Sequence, residues 1–305
     1  MSGELVILLK EKGKAKQVFD LLDISDATKK DYQSRIRLFL EFTKSQGLNH
    51  NTFLKFKRYL KGRNNLAVSS KNKYLITAKI FLNELNRRGL IPVNITQNVK
   101  VFSQSRKHKK SGLNVEEVAK LSKELQQLED NPKNLRLKVI LSFLLFQGLR
   151  QCEVVRLDIK DVDLVNSLAF IQGKGADDKE AINLHPKTTQ ALKTYLKASK
   201  IADGALFTSQ SNNHRSGRLT TRGIRKIVKD FFRELGIDKS THGTRHFFVS
   251  QLIRSYKGDL LNVKKYSRHK SLEMLIVYDD NLKLKEDLPR FYKTFEDIKI
   301  TNKQI

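Results

Sequence analysis

The sequence predicts a mainly α-helical protein of two domains with one small antiparallel β-sheet. Three observations carry that reading. Apolar residues recur at helical spacing through most of the chain. A polar, basic stretch without such periodicity, SQSRKHKKSG at 103–112, divides it in two. Two short apolar segments, LAFIQGKG and EAINLHP, flank the turn-forming KGADDK as the arms of a hairpin.

Residues 1–15 form an N-terminal segment whose five-residue apolar run between Glu4 and Lys10 is too short for a signal peptide or a membrane span. Residues 16–102 read as a helical bundle. In ATKKDYQSRIRLFLEFTKSQGL, Tyr32, Ile36, Phe39 and Leu40 fall near one helical stripe, and Gly47 marks the stop. NTFLKFKRYLKGRN and SSKNKYLITAKIFLNELNRRGL repeat the pattern. Ser69 and Ser70 give an N-cap signal, Gly89 a C-cap signal, and Pro92 closes the bundle. Beyond the linker, NVEEVAKLSKEL opens with a capping box from Asn114 to Glu117. LKVILSFLLFQGLR is apolar nearly all round, which predicts a central buried helix. After the hairpin, helices are expected at 188–200, 220–236 and 241–256, with short ones near 259–265 and 271–278. On the tail, 281–305, Leu284, Leu288, Phe291, Phe295 and Ile298 are spaced for one apolar stripe.

Charge narrows the function. The 59 Lys and Arg residues outnumber 32 Asp and Glu, a net +27. Residues 1–102 hold 20 of those bases and 8 of the acids, or +12, which leaves +15 for the remainder. Both parts are basic, so this is no neutral enzyme with a basic tail. Such an excess points to a polyanion, because each neutralised phosphate releases counterions. Lys55, Lys57, Lys61, Lys71, Lys73 and Lys79 suit a bundle lying along phosphates, although any one of them alone reads as solvated surface. One cysteine, Cys152, excludes an intrachain disulfide and gives no zinc cluster; on a helix it reads as a small buried apolar residue. The expected location is the cytoplasm, at the nucleoid.

Four places in the second domain carry side chains suited to phosphate chemistry. Arg150 follows the buried helix at the Gly148 turn, where a rigid element would hold its guanidinium. Lys174 stands between glycines on the hairpin. His242 and Arg245, in THGTRH, are three apart and share a helix face. RHKSLEMLIVYDD then sets His269 nine residues before Tyr278. Alone, the arginine at the turn could cap a helix, and a hairpin lysine is ordinarily solvated. The ordered set is the signal.

GLRQCEVVRLDIKDVDL resembles the first arginine box of the tyrosine recombinases, the family of Xer proteins and phage integrases. GKG on a hairpin, HGTRH and RHKSLEMLIVY match its remaining boxes in the same order, over about 130 residues. The resemblance implies the DNA breaking-rejoining fold: a core-DNA-binding domain at 16–102, the basic linker 103–112, and a catalytic domain at 113–280. It implies a tail at 281–305 exchanged between protomers, and too short an N-terminal segment for an arm-site domain. It makes Tyr278 the nucleophile, Arg150 and Arg245 the clamp on the scissile phosphate, and His242 a general base or hydrogen-bond donor. His269 would hydrogen-bond the phosphate, and Lys174 would protonate the leaving 5′-oxygen. The implied partner is double-stranded DNA with a short core site, bound by a homotetramer, with neither cofactor nor metal. The chemistry agrees independently: planar bidentate guanidinium groups suit the equatorial oxygens of a phosphodiester, and a phosphotyrosine conserves the bond energy without ATP.

Rival readings exist for several of these residues. Asp158, Asp161 and Asp163 suggest a two-metal nuclease, against commoner turn and cap roles. Tyr256 and Tyr266 precede His269 and Tyr292 lies 23 residues beyond it, so Tyr278 leads. His246 reads as a packing or hydrogen-bonding residue, and His185 and His214 carry no signal. Some wording departs from the family: Thr244 replaces an apolar residue, Ser267–Arg268 replaces Leu–Gly, and the hairpin is acidic. Asp279 and Asp280 follow the tyrosine, where they would repel a phosphate unless they point away. The same phosphotyrosine chemistry would also serve a DNA-relaxing or hairpin-forming enzyme, and a DNA-binding protein that never cuts is a third reading.

Overall fold

The computed structural model describes residues 12–104, 112–173, 175–209 and 217–298. The chain divides into two compact units, 1–105 and 106–305. It is mainly helical, with one three-stranded antiparallel sheet in the second unit.

The first unit contains α1 (Lys12–Gln17), α2 (Asp26–Gln46), α3 (Thr52–Gly62) and α4 (Val68–Arg87). Ser25 caps α2 by accepting the Thr28 N–H, and Gly47 ends it at φ +67°, as the sequence predicts. Phe19, Phe39, Phe53, Phe56 and Phe81 are fully buried together, with Phe39 and Phe56 edge to face at 5.0 Å. The serine signal on α4 is corrected. Ala67 is the N-cap, so Ser69 and Ser70 lie inside the first turn without capping it. A serine cap contributes only about 1 kcal/mol, and burial of Leu75, Ala78 and Leu82 sets the helix instead. The other end follows expectation: Gly89 at φ +70° donates to the Asn86 carbonyl while Leu90 donates to Leu85, a Schellman closure. Asn72 on α4 then pins the returning segment, exchanging two hydrogen bonds with the Phe102 backbone. Of the six lysines singled out above, Lys55, Lys61 and Lys73 are exposed and the other three half-buried. Lys57 lies over the Phe102 ring, and Lys71 donates to the Lys61 carbonyl.

The second unit is built around α6 (Pro132–Phe146), the helix predicted to be buried. Leu135, Leu137, Val139, Ile140, Leu141, Phe143 and Leu144 cover almost its whole circumference. It is preceded by α5 (Val115–Gln127), whose capping box forms as expected: the Asn114 side chain accepts from the Glu117 N–H at 2.6 Å, and Glu117 accepts from the Asn114 N–H at 2.8 Å. After α6 come α7 (Gln151–Arg156), β1 (Val162–Asp163), β2 (Leu168–Gln172), β3 (Lys179–Asn183), α8 (Pro186–Ser199) and α9 (Thr221–Glu234). Strands β2 and β3 form the predicted hairpin in a register that pairs Gln172 with Lys179. The two-residue β1, paired to β2, is too short to leave a sequence pattern.

Most of the candidate site residues come from three further helices, α10 (Thr241–Ser255), α11 (Leu260–Ser267) and α12 (Glu273–Lys293). They enclose a small core of their own from Phe248, Val249, Ile253, Val263, Leu275 and Tyr278. Here the structure differs from expectation, because α12 does not stop at residue 278 but runs on to Lys293. No glycine or proline stands between Glu273 and Leu288 to end it. An Asp279–Lys283 ion pair at 2.6 Å, one helical turn apart, spans the position where the short helix was expected to finish.

The α6–α7 turn depends on Gly148, at φ +57°. A Cβ there would meet the Phe248 ring at 2.2 Å. Gly148→Ala therefore combines left-handed backbone strain with a steric clash, and is expected to cost about 2 kcal/mol or more. Chemical denaturation checks it; an unchanged midpoint would mean that the ring yields freely.

Candidate active site

Arg150 occupies the N-cap position of α7, immediately after the tight turn in which Gln147 ends α6, Gly148 turns left-handed and Leu149 is buried. Its Nη1 donates to Glu153 Oε1 at 2.8 Å, and its backbone N–H donates to Oε2 of the same carboxylate at 2.7 Å. Glu153 is 1 % exposed and takes a third partner, Arg268 Nη2, at 3.0 Å. Burial pushes Glu153 upward, but Arg268 and Arg150 overcome it and hold the carboxyl below its ordinary range. It is therefore ionised at neutral pH.

Arg245 comes from the first turns of α10 and is 2 % exposed. Its Nη1 donates to the Gly148 carbonyl at 2.6 Å and its Nη2 to the Ser267 carbonyl at 2.7 Å. Those bonds fix the guanidinium between the α6–α7 turn and the C-terminal end of α11. Burial, and then the like charges of Arg150 and Arg268, push it down to about 10. It stays charged at neutral pH.

Tyr278 is on α12, buried at the edge of the small core. Its ring centroid is 5.1 Å from His246 and 6.1 Å from His269. Burial pushes the phenol up to about 12, against the opposing pull of Arg245 and Arg150. The phenol is protonated at neutral pH, so attack by its oxygen requires a proton acceptor. His269 is buried, with Nδ1 2.8 Å from Ser267 Oγ. His242 is exposed and joins the cluster through His246, the two rings edge to face at 4.6 Å. The structure thus gathers Arg150, Arg245, His269 and Tyr278 directly and His242 through a neighbour. Lys174 lies outside the described residues.

The rival residues are engaged elsewhere. Tyr256 stacks on Tyr266 at 5.8 Å, and Tyr292 is mostly exposed. Asp158 pairs with Arg218, Asp161 with Lys179 at 2.5 Å, and Asp163 accepts from the backbone N–H groups of Val165 and Asn166. Asp161, which accepts from the Asp158 N–H, and Asp163 do the turn and cap work that was the commoner reading, while Asp158 is held in its ion pair. His185 caps α8 and stacks on Phe146, while His214 lies outside the described residues. Cys152 is half-buried, not fully buried as expected, because α7 is a short helix with one face outward. Asp279 is turned to Lys283 and packs beside Gly258, and Asp280 is exposed.

Sequence reasoning missed the contacts of Glu153 with Arg150 and Arg268. Glu153 had a local signal, three residues after Arg150 on a helix start. Arg268 had only its oddity, an arginine where a glycine was expected. The linking position of His246, between His242 and Tyr278, had no local signal.

Residues 112–285 match the model of the phage integrase family. The tyrosine recombinase XerC of Herpetosiphon aurantiacus is 31% identical over 233 residues, covering 74% of this chain and 71% of that one. The XerC of a Roseiflexus species is 27% identical over 262 residues, with 81% of each chain covered. Among solved structures, the XerH site-specific recombinase in a post-cleavage complex with a palindromic difH substrate superposes with a TM-score of 0.70. It is 20% identical, and the match covers 94% of this chain and 84% of that one, a likeness of fold.

Proposed function

We propose a catalytic assignment for this chain, which belongs to the phage integrase family and is a tyrosine-type, site-specific DNA recombinase. Tyr278 is the nucleophile. Its oxygen attacks the scissile phosphorus, the bond to the 5′-oxygen breaks, and the 3′ end is left joined to the enzyme as a phosphotyrosine. Arg150 and Arg245 hold the non-bridging oxygens, where planar donors match the charge gathered in the transition state. His242 acts as general base or hydrogen-bond donor, His269 hydrogen-bonds the phosphate, and Lys174 gives its proton to the departing 5′-oxygen. A 5′-hydroxyl from another strand reverses these steps and rejoins the DNA, so the bond energy is conserved throughout. The observation that supports this assignment best is the seat of Tyr278, a buried tyrosine flanked by His246 and His269 and within reach of the charges of Arg150 and Arg245.

The working assembly on this reading is a homotetramer on two short core sites, with the chain's tail exchanged between protomers. Residues 16–102 are its core-DNA-binding domain, 103–112 the linker and 113–280 the catalytic domain. On α12 and beyond, Leu284, Phe291, Phe295 and Ile298 are each more than half exposed, an apolar stripe that a neighbouring copy would bury. Removing 284–305 spares the Asp279–Lys283 pair and is expected to weaken tetramer formation on DNA more than binding to a single site. Sedimentation of the DNA complexes checks it, and unchanged assembly would make the tail dispensable.

A duplex selected from a randomised pool by covalent capture on the wild-type protein supplies the substrate for the chemical tests. Tyr278→Phe should bind this DNA normally and form no covalent adduct, while wild type forms one in EDTA. Adducts surviving in the variant would move the nucleophile elsewhere; loss of wild-type activity in EDTA would revive a metal.

Lys174→Ala should cleave it slowly, by roughly the 10²–10⁴-fold of lost general-acid catalysis. A 5′-bridging sulfur leaves as a weakly basic thiolate and should restore most of that rate, but not the rate of Arg150→Ala. Rescue of both variants, or of neither, would remove Lys174 from the acid role.

A further inference from the structure

Arg268 departs from the family wording and has no part in the assignment above, yet it is built into the site. It ends α11 in the left-handed region, at φ 55° and ψ 41°, a conformation that glycine adopts freely and an arginine does not. Its side chain is only 8 % exposed. Burying a guanidinium at a strained backbone position needs compensation, and three contacts supply it. Nη2 donates to the buried Glu153 at 3.0 Å, Nη1 donates to the Gln147 carbonyl at 3.1 Å, and Nε lies 3.1 Å from Glu180 on β3. The contacts are unequal. Glu180 is 54 % exposed and out of line for a hydrogen bond from Nε, so solvent screens that pair. Glu153 is almost wholly buried, and its carboxylate is the one Arg150 uses.

We propose that Arg268 is a positioning residue for strand cleavage, acting on Arg150 through the carboxylate of Glu153 that the two arginines share. The inference rests on the reading of Arg150 as a phosphate clamp. A single carboxylate facing Arg150 alone would hold its guanidinium in place but cancel its charge. Divided between two guanidinium groups, the same carboxylate orients Arg150 and leaves the trio with a net positive charge. Arg268 also fastens the turn just before His269 to the α6–α7 turn just before Arg150, so both phosphate-facing residues keep one spacing.

The test compares Arg268→Gly and Arg268→Lys with wild type on the captured duplex. Glycine suits the left-handed backbone, so Arg268→Gly should remain folded, and its melting curve checks this. Cleavage at saturating DNA should fall roughly 10–100-fold, the range for partners that orient a working group from outside. DNA affinity should change less than twofold. Arg268→Lys, which restores the charge without the forked geometry, should recover part of the loss. A 5′-bridging sulfur should rescue neither variant, because the defect lies in holding the phosphate and not in protonating the leaving group. Wild-type cleavage by Arg268→Gly would overturn the proposal. So would a loss matched by the fraction unfolded, or a loss repaired by the sulfur substrate, which would assign Arg268 to the hairpin through Glu180. A wild-type protein that forms no adduct would sink the catalytic reading itself, and the proposal with it.

Discussion

Arg245 must stay charged inside the protein, and the site is arranged around that constraint. Removing a guanidinium from water costs several kcal/mol unless its donors and its charge are both answered. The donors are answered by two backbone carbonyls, Gly148 and Ser267, which belong to the turns leading to Arg150 and to His269. The charge is answered at one remove by Glu153. One buried side chain therefore ties together three of the segments that carry the proposed site residues: the α6–α7 turn, the start of α10, and the end of α11. The burial of α6 matters for the same reason, since a helix packed on most of its circumference gives the Gly148 carbonyl a defined place to accept from.

Tyr278 answers a different requirement. In the proposed role it must be held still but remain able to reach its target, and its seat in the small α10–α11–α12 core does the first. Leu275, one turn earlier on α12, is fully buried in that core and anchors the helix. Burial raises the phenol while the two arginines lower it, so the tyrosine rests neutral beside cations that would stabilise its anion. Binding a phosphate to those same cations consumes part of that stabilisation. On the assignment proposed above, proton removal is best timed with attack, and His242, the proposed acceptor, reaches Tyr278 through the ring of His246.

The fold was largely legible because its strongest signals are local. The apolar circumference of α6, the Asn114 capping box and the glycine closures at Gly47 and Gly89 each act within a few residues, and each appears as read. Where the reading slipped, competing local signals were weak. Ser69 and Ser70 are good capping residues one turn from where burial of the apolar stripe starts α4, and about 1 kcal/mol of capping cannot move it. The length of α12 was hidden because polar residues after Tyr278 resemble a helix end, although nothing in them breaks a helix.

The site divides along the same line. Residues whose type and spacing follow from the chemistry, such as Arg150, Arg245, His269 and Tyr278, could be named from the sequence, and the structure draws them into one cluster. Arg268 was hidden, because its buried partner lies far away along the chain. Glu153 and Arg268 are 115 positions apart and meet only after the α6–α7 turn has packed against the end of α11. The linear trace of that contact is an arginine in a place that favours glycine. A side chain that accepts left-handed strain and burial together must be satisfied by something, so such an oddity in a sequence is a reason to look for a distant carboxylate.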